Sequence, residues 1–187
     1  MMARLEVVEG DITKLNVDGI VNAAGITLDV PFADTGPDDW TRILAVNLVG
    51  AAMVCRAALP AMRRAGGGTI VNIASGAGLR PLDGRSAYGA SKAGLVMLSR
   101  SLALELAADN IRANAICPGA VDTPMLRRPY EGKPDAAAIR AGIEDRYALG
   151  RVGTAAEIAA TALYLTGDQS SFVTGSALAV DGGRAFH

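Results

Sequence analysis

The sequence predicts an α/β domain with a mostly parallel sheet. Three observations carry the prediction. The run "GTIVNIAS" (68–75) is β-branched and apolar almost throughout, the pattern of a parallel strand covered on both faces, and "IRANAICPG" (111–119) reads as another buried strand. Long helical stretches lie between such runs, over 37–65 and 87–110. Glycine- and proline-bearing turns punctuate the chain, so strand and helix alternate along it.

The elements follow in order. "RLEVV" (4–8) reads as a strand and "GDITKL" (10–15) as a turn. "DGIVNAAG" (18–25) is a strand running into a glycine turn. Residues 37–65 read as one long helix, with Asp34 or Thr35 placed to cap it, Pro37 in its first turn and Gly66 at its end. Strand 68–75, helix 87–110 and strand 111–119 come next, the last closed by a Pro-Gly turn. Residues 120–150 are loop-rich, with a helix near 135–147. The helix over 154–167 opens on Thr154 with Glu157 three residues later, a capping box. "ALAVDGG" (177–183) is the last strand. With no repeat, low-complexity tract or linker, 1–187 reads as a single domain.

Composition bounds the function. The chain has 187 residues, half of them hydrophobic and a fifth charged, and its formal net charge is −1. That balance gives no electrostatic reason to expect nucleic acid or an anionic membrane as a partner. Asn, Gly or Arg interrupts the apolar runs short of a membrane span, and the first ten residues hold no signal-peptide core. A cytoplasmic protein is expected. The one histidine, His187, is the last residue, so neither a histidine triad nor a histidine metal site is expected. Cys55 and Cys117 sit in apolar surroundings and read as reduced core thiols.

"SAYGASK" (86–92) puts Tyr88 and Lys92 one helical turn apart, so both side chains point the same way. A free tyrosine has a pKa of about 10, and a neighbouring ammonium lowers it. Tyr88 is then placed to exchange a proton with an alcohol or ketone oxygen. Ser75, at a strand end, is placed to hydrogen-bond the same oxygen. Asn47, a polar residue within "ILAVNLVGAAMV", requires partners if buried and is positioned to hold a water against Lys92. The alternative for each residue alone is structural: a surface pair, a turn-forming serine, a locally satisfied amide. Their order and spacing together favour chemistry.

"NxxG" (47–50), "IVNIAS" (70–75), "YGASK" (88–92), "NAICPGAVDTPM" (114–125) and "TGSALAVDGG" (174–183) resemble the short-chain dehydrogenase/reductase family, over about residues 22–187. The resemblance implies a Rossmann-like three-layer domain. It implies hydride transfer between NAD or NADP and a small carbonyl or alcohol substrate. It assigns Asn47, Ser75, Tyr88 and Lys92 as the catalytic four, with Tyr88 the acid/base and Lys92 also on the nicotinamide ribose. It places Pro118, Gly119, Val121 and Thr123 along the nicotinamide, and Ala23, Ala24 and Gly25 near the adenosine ribose. It also implies that the two long helices pair across a two-fold axis in a dimer or tetramer.

The family's glycine-rich turn between a first strand and a helix N-terminus, which holds the diphosphate, is not found in this sequence. Weak or absent dinucleotide binding is the expectation. "RLEVVEGDITKLNVDGIVNAA" (4–24) resembles the opening of a macrodomain, a family that binds ADP-ribose. That resemblance implies a chimeric chain with a truncated sheet, in which Asp11 and the turn from Asn22 to Gly25 hold an adenosine or ADP-ribose fragment. A turn-forming Asp11 is the alternative. Two functions therefore stand: an oxidoreductase with a reduced cofactor grip, or a non-catalytic nucleotide-binding module.

Overall fold

The computed structural model describes residues 18–186. Strand 4–8, the turn 10–15, Asp11 and His187 lie outside the described residues. Four parallel strands form one sheet in the order β1 (Gly19–Asn22), β2 (Gly68–Ile73), β3 (Ile111–Pro118) and β4 (Ala177–Val180). Within the described residues β1 is an edge strand, paired only with β2.

Helices cover both faces, as the unbroken apolar strands require. On one face lie α2 (Ala51–Ala65) and α3 (Ser86–Glu105). There Cys55, Ala58 and Met62 of α2 meet Ile20, Ile70, Ile111 and Ala113 of the sheet. On the other face α6 (Ala155–Thr166) sets Ala162 and Leu165 against Val71 and Ile116. Ile70 and Val71 are neighbours in β2, yet both are fully buried, because alternate side chains leave a strand on opposite faces. Each such side chain contributes about 1.5–3 kcal/mol by leaving water. Thr154 caps α6: its hydroxyl accepts from Glu157 N, and the Glu157 carboxylate accepts from Thr154 N at 2.7 Å.

The stretch 37–65 departs from the single α-helix predicted. It comprises α1 (Pro37–Leu44), a π-helical segment (Ala45–Gly50) and α2. The wider turn centres on Asn47, and such insertions recur where a helix must present a functional side chain. The cap also differs. Gly36 is the N-cap, its N–H donating to Asp39 Oδ2, whereas the Thr35 hydroxyl donates back to Pro31 O and Asp34 lies in a separate short turn. Hydropathy requires a further correction. Pro37–Ala65 is long and apolar enough to cross a membrane, because Asn and Gly interrupt a run without lowering its average far. Here its inner face is taken by the sheet and α3: Ile43, Asn47, Cys55, Ala58 and Met62 are buried. Val46, Val49 and Met53 remain exposed.

Two short helices, α4 (Pro124–Arg127) and α5 (Ala136–Glu144), occupy the loop-rich region after β3. An ion-pair cluster ties them together, with Arg127 and Arg140 both on Asp122.

Candidate active site

The strands run in parallel, so their carboxyl ends share one side of the sheet. A cavity of about 280 Å³ opens there. Ser75, Tyr88 and Lys92 all line it. The sheet ends and α3 therefore bring together three of the four predicted catalytic residues.

The fourth, Asn47, stands behind the cavity wall and is fully buried. Its amide is committed to protein groups. Oδ1 accepts from Ile26 N at 2.8 Å, and Nδ2 donates to Ile26 O at 2.9 Å and Ser91 Oγ at 3.0 Å. Asn47 fastens the loop after β1 to the helices. Gly25 fits between the two groups: a Cβ there would lie 3.2 Å from Lys92 Nζ and 3.3 Å from Asn47 Oδ1.

Lys92 is 4% exposed, and its Nζ donates to Ile73 O at 3.0 Å. Burial pulls its ammonium down to about 8, with the Cys117 thiol opposing. Nζ stands 6.0 Å from the centre of the Tyr88 ring. The phenol does not follow the predicted direction. Burial pushes Tyr88 above its ordinary value, and the Ser75 side chain and Arg85 guanidinium pull the other way without prevailing. Desolvation disfavours a phenolate more than these neighbours favour it. Ser75 lies beyond the end of β2 and caps a tight turn over 76–78, its Oγ accepting from Ala77 N at 3.1 Å.

Of the predicted cofactor residues, Ala23, Gly25, Pro118, Gly119, Val121 and Thr123 line the same cavity. Asn22 and Ala24 do not. The Asn22 amide turns into the core and donates to Asn72 Oδ1 at 2.8 Å and to Cys55 Sγ at 3.2 Å, and Ala24 is exposed. Asp11 is outside the described residues. Gly119 is hemmed in: a Cβ there would lie 2.7 Å from Tyr147 Cε1 and 3.0 Å from Asp181 Cα. Only glycine allows this close approach of backbone and ring at the cavity wall.

Several lining residues escaped the sequence reading, among them Thr27, Arg80, Arg85, Tyr147 and Arg184. Ser91, which joins Asn47 to α3, escaped it too. Its signal was a hydroxyl on the inward side of an otherwise apolar helix. Among the described residues no group of three His, Cys, Asp or Glu side chains is placed to hold a metal ion.

The profile of the enoyl-(acyl carrier protein) reductase family matches residues 8–185. The 3-oxoacyl-(acyl-carrier-protein) reductase of Thermotoga maritima is 38% identical over 179 residues, covering 95% of this chain and 70% of its own length. This chain belongs to the short-chain dehydrogenase/reductase family. A second relative in that family, the 2-(R)-hydroxypropyl-CoM dehydrogenase of Xanthobacter autotrophicus, is 39% identical over 169 residues, with 89% of this chain and 66% of the relative covered. The chain thus spans about two thirds of the length of these short-chain dehydrogenase/reductase relatives. Among solved structures, a 4-hydroxyisoleucine dehydrogenase complexed with NADH superposes with a TM-score of 0.86 at 34% identity, covering 95% of this chain and 72% of that one. The family match takes in Asp11 and most of residues 4–24; the macrodomain resemblance of that stretch rests on its sequence alone.

Proposed function

We propose that this chain carries the proton-transfer apparatus of an NAD(P)-dependent oxidoreductase acting on a small carbonyl or alcohol. The observation that carries the reading is the convergence of Ser75, Tyr88 and Lys92 on one cavity at the carboxyl ends of the strands. The residues present fit the nicotinamide end of the cofactor. Gly25, Pro118, Gly119, Val121 and Thr123 line the cavity beside Tyr88, where small side chains and backbone leave room for a flat ring. When bound, the cofactor would supply or accept the hydride.

The protein's own part is proton placement. The raised pKa of Tyr88 keeps its phenol protonated near neutrality. In that state Tyr88 acts as the proton donor to a carbonyl oxygen, the assignment that suits reduction. Ser75 offers a second hydrogen bond to the same oxygen and steadies charge on it. Lys92, held by Ile73 O, supplies positive charge beneath the phenol. Asn47 positions the Ile26 backbone, and with it the cavity wall.

Dinucleotide affinity in this chain alone is proposed to be low, because the described residues include no glycine-rich turn leading from a strand into a helix N-terminus at the cavity. Titration with NADH and NADPH by fluorescence tests that point, and micromolar affinity would refute it. The chemical assignment is tested by reduction of a panel of small ketones with unaltered protein and with Tyr88→Phe. The variant is expected to lose about 10²–10⁴-fold in rate. Equal rates would sink the assignment.

Assembly into a homo-oligomer is part of the same reading. Val46, Val49 and Met53 stand exposed on the outer side of the first long helical stretch, and Met97 and Leu104 on α3. Sedimentation over a range of concentrations tests it, and a monomer at every concentration would end it.

A further inference from the structure

The wall of the cavity carries more positive charge than proton transfer uses. Arg80, Arg85 and Arg184 line it beside Lys92, against Asp29 and Asp181. Both carboxylates are already engaged. Asp29 is ion-paired with Arg85. Asp181 accepts from Gly183 N at 3.0 Å on one oxygen and from Ala185 N at 2.7 Å on the other. Arg80 and Arg184 have no carboxylate partner among the described residues. Their one mutual contact is from Arg80 Nη1 to the main-chain carbonyl of Arg184. A neutral acceptor satisfies a donor without cancelling its charge.

The two arginines come from turns at the carboxyl ends of β2 and β4. Arg80 N donates to Gly76 O, in the turn that Ser75 caps. Arg184 N donates to Asp181 O, just after β4. A third polar group is unspent: Thr27 Oγ1 is buried with no hydrogen-bond partner among the described residues, and Thr27 lines the same cavity. The remaining lining supplied by Leu82, Met125 and Leu126 is apolar. Apolar lining of this kind suits a short carbon chain.

Resting on the oxidoreductase reading, we propose that the substrate is a short oxo acid or hydroxy acid whose carboxylate is bound by Arg80 and Arg184. Guanidinium groups match a carboxylate in geometry and charge and lose less hydration than ammonium groups do. Their uncompensated charge disfavours a neutral substrate less than it favours an anionic one, which is the basis of discrimination.

The test compares 4-oxopentanoate with its primary amide, a near-isosteric neutral ketone. With NADH or NADPH supplied, the acid is expected to be preferred by about tenfold or more in kcat/KM, the effect of one charge-assisted contact. In Arg184→Gln and in Arg80→Gln the acid-to-amide ratio is expected to fall by about tenfold, and added salt is expected to lower it in the unaltered protein. Equal kcat/KM for acid and amide would overturn the proposal. So would variants that raise the KM for the cofactor while leaving the acid-to-amide ratio intact, because the arginines would then serve the dinucleotide. Calorimetry with the two ketones alone separates the proposal from the reading beneath it. Acid-selective heats without turnover of either ketone would keep the carboxylate subsite and remove the oxidoreductase assignment. Turnover of both without selectivity would do the reverse.

Discussion

The Lys92 ammonium donates to the main-chain oxygen of Ile73 at 3.0 Å. This bond ties the face of α3 that carries Tyr88 and Lys92 to the last residue of β2. It holds a nearly inaccessible cation against the carboxyl end of the sheet, and it commits the side chain to a position 6.0 Å from the Tyr88 ring centre.

The first prediction concerns pH. Below about 8 Lys92 is protonated in both folded and unfolded chains. Between about 8 and its ordinary value of 10.5 the folded protein has released that proton and the unfolded chain still holds it. The unfolded state then binds more protons, so stability rises with pH. Cys117, pushed from 9.0 up to about 11, has the opposite sign: stability falls as pH rises from 9 toward 11. The rise is therefore expected between pH 8 and 9, at no more than about 1.4 kcal/mol for one unit of pH, and is offset above that. Denaturant unfolding from pH 7 to 10 measures it. The slope between 8 and 9 should vanish in Lys92→Met, and a slope unchanged in that variant would assign it elsewhere.

Two glycines near Lys92 should respond differently to alanine. At Gly25 the added methyl meets side-chain ends, Lys92 Nζ at 3.2 Å and Asn47 Oδ1 at 3.3 Å, which need give by only a few tenths of an ångström against the hydrogen bonds that hold them. Gly25→Ala is expected to cost little stability, under about 1 kcal/mol, while lowering turnover by displacing the ammonium. At Gly78 it would meet Lys92 C and O at 2.8 Å and Ala93 N at 2.9 Å, backbone that cannot yield. Gly78→Ala is expected to destabilise by about 1–3 kcal/mol. Thermal unfolding of both variants beside a rate assay checks the contrast.

Ser91 links Asn47 to α3. Its hydroxyl accepts from Asn47 Nδ2 and donates to Tyr88 O at 2.7 Å. Ser91→Ala removes one of the two bonds from the Asn47 amide nitrogen and is expected to cost about 1–3 kcal/mol. If Ser91 also positions Tyr88, the pH profile of kcat should shift in Ser91→Ala and return in Ser91→Thr. An unmoved profile would leave Ser91 with a structural role only.

A buried polar chain crosses the core. Asn22 Nδ2 donates to Asn72 Oδ1, Asn72 Nδ2 to Ser99 Oγ at 2.9 Å, and the Ser99 hydroxyl to Leu95 O at 2.9 Å. Truncation of the middle member removes one bond from each of two partners. Asn72→Ala is expected to destabilise by about 2–4 kcal/mol, more than Ser99→Ala at the end of the chain, and chemical denaturation measures both.

Much of the architecture is legible in local pattern. The apolar run of β2 allows no solvent-facing side, and it proved to be an interior strand. The Thr154–Glu157 spacing marks where α6 begins. The four-residue step from Tyr88 to Lys92 places both on one helical face, and both line the cavity. The site was less legible where it depends on approach across the fold. Asn22 stands in a motif that the sequence reading gave to a ligand, but its amide is spent on Asn72, whose position is fixed by the pairing of β1 with β2. Arg80 and Arg184 meet across 104 residues of sequence, and no periodicity relates them.

The sequence by itself determined the strand and helix types, the parallel alternation and the side of α3 that carries Tyr88 and Lys92. Those properties follow from residue spacing, because the helix and the strand each repeat over a few positions. Tertiary structure alone decided the π-turn at Asn47, the raised pKa of Tyr88 and the charge left unpaired on the cavity wall. Burial and long-range contacts set these, and both depend on which segments the folded sheet brings within a few ångströms of each other.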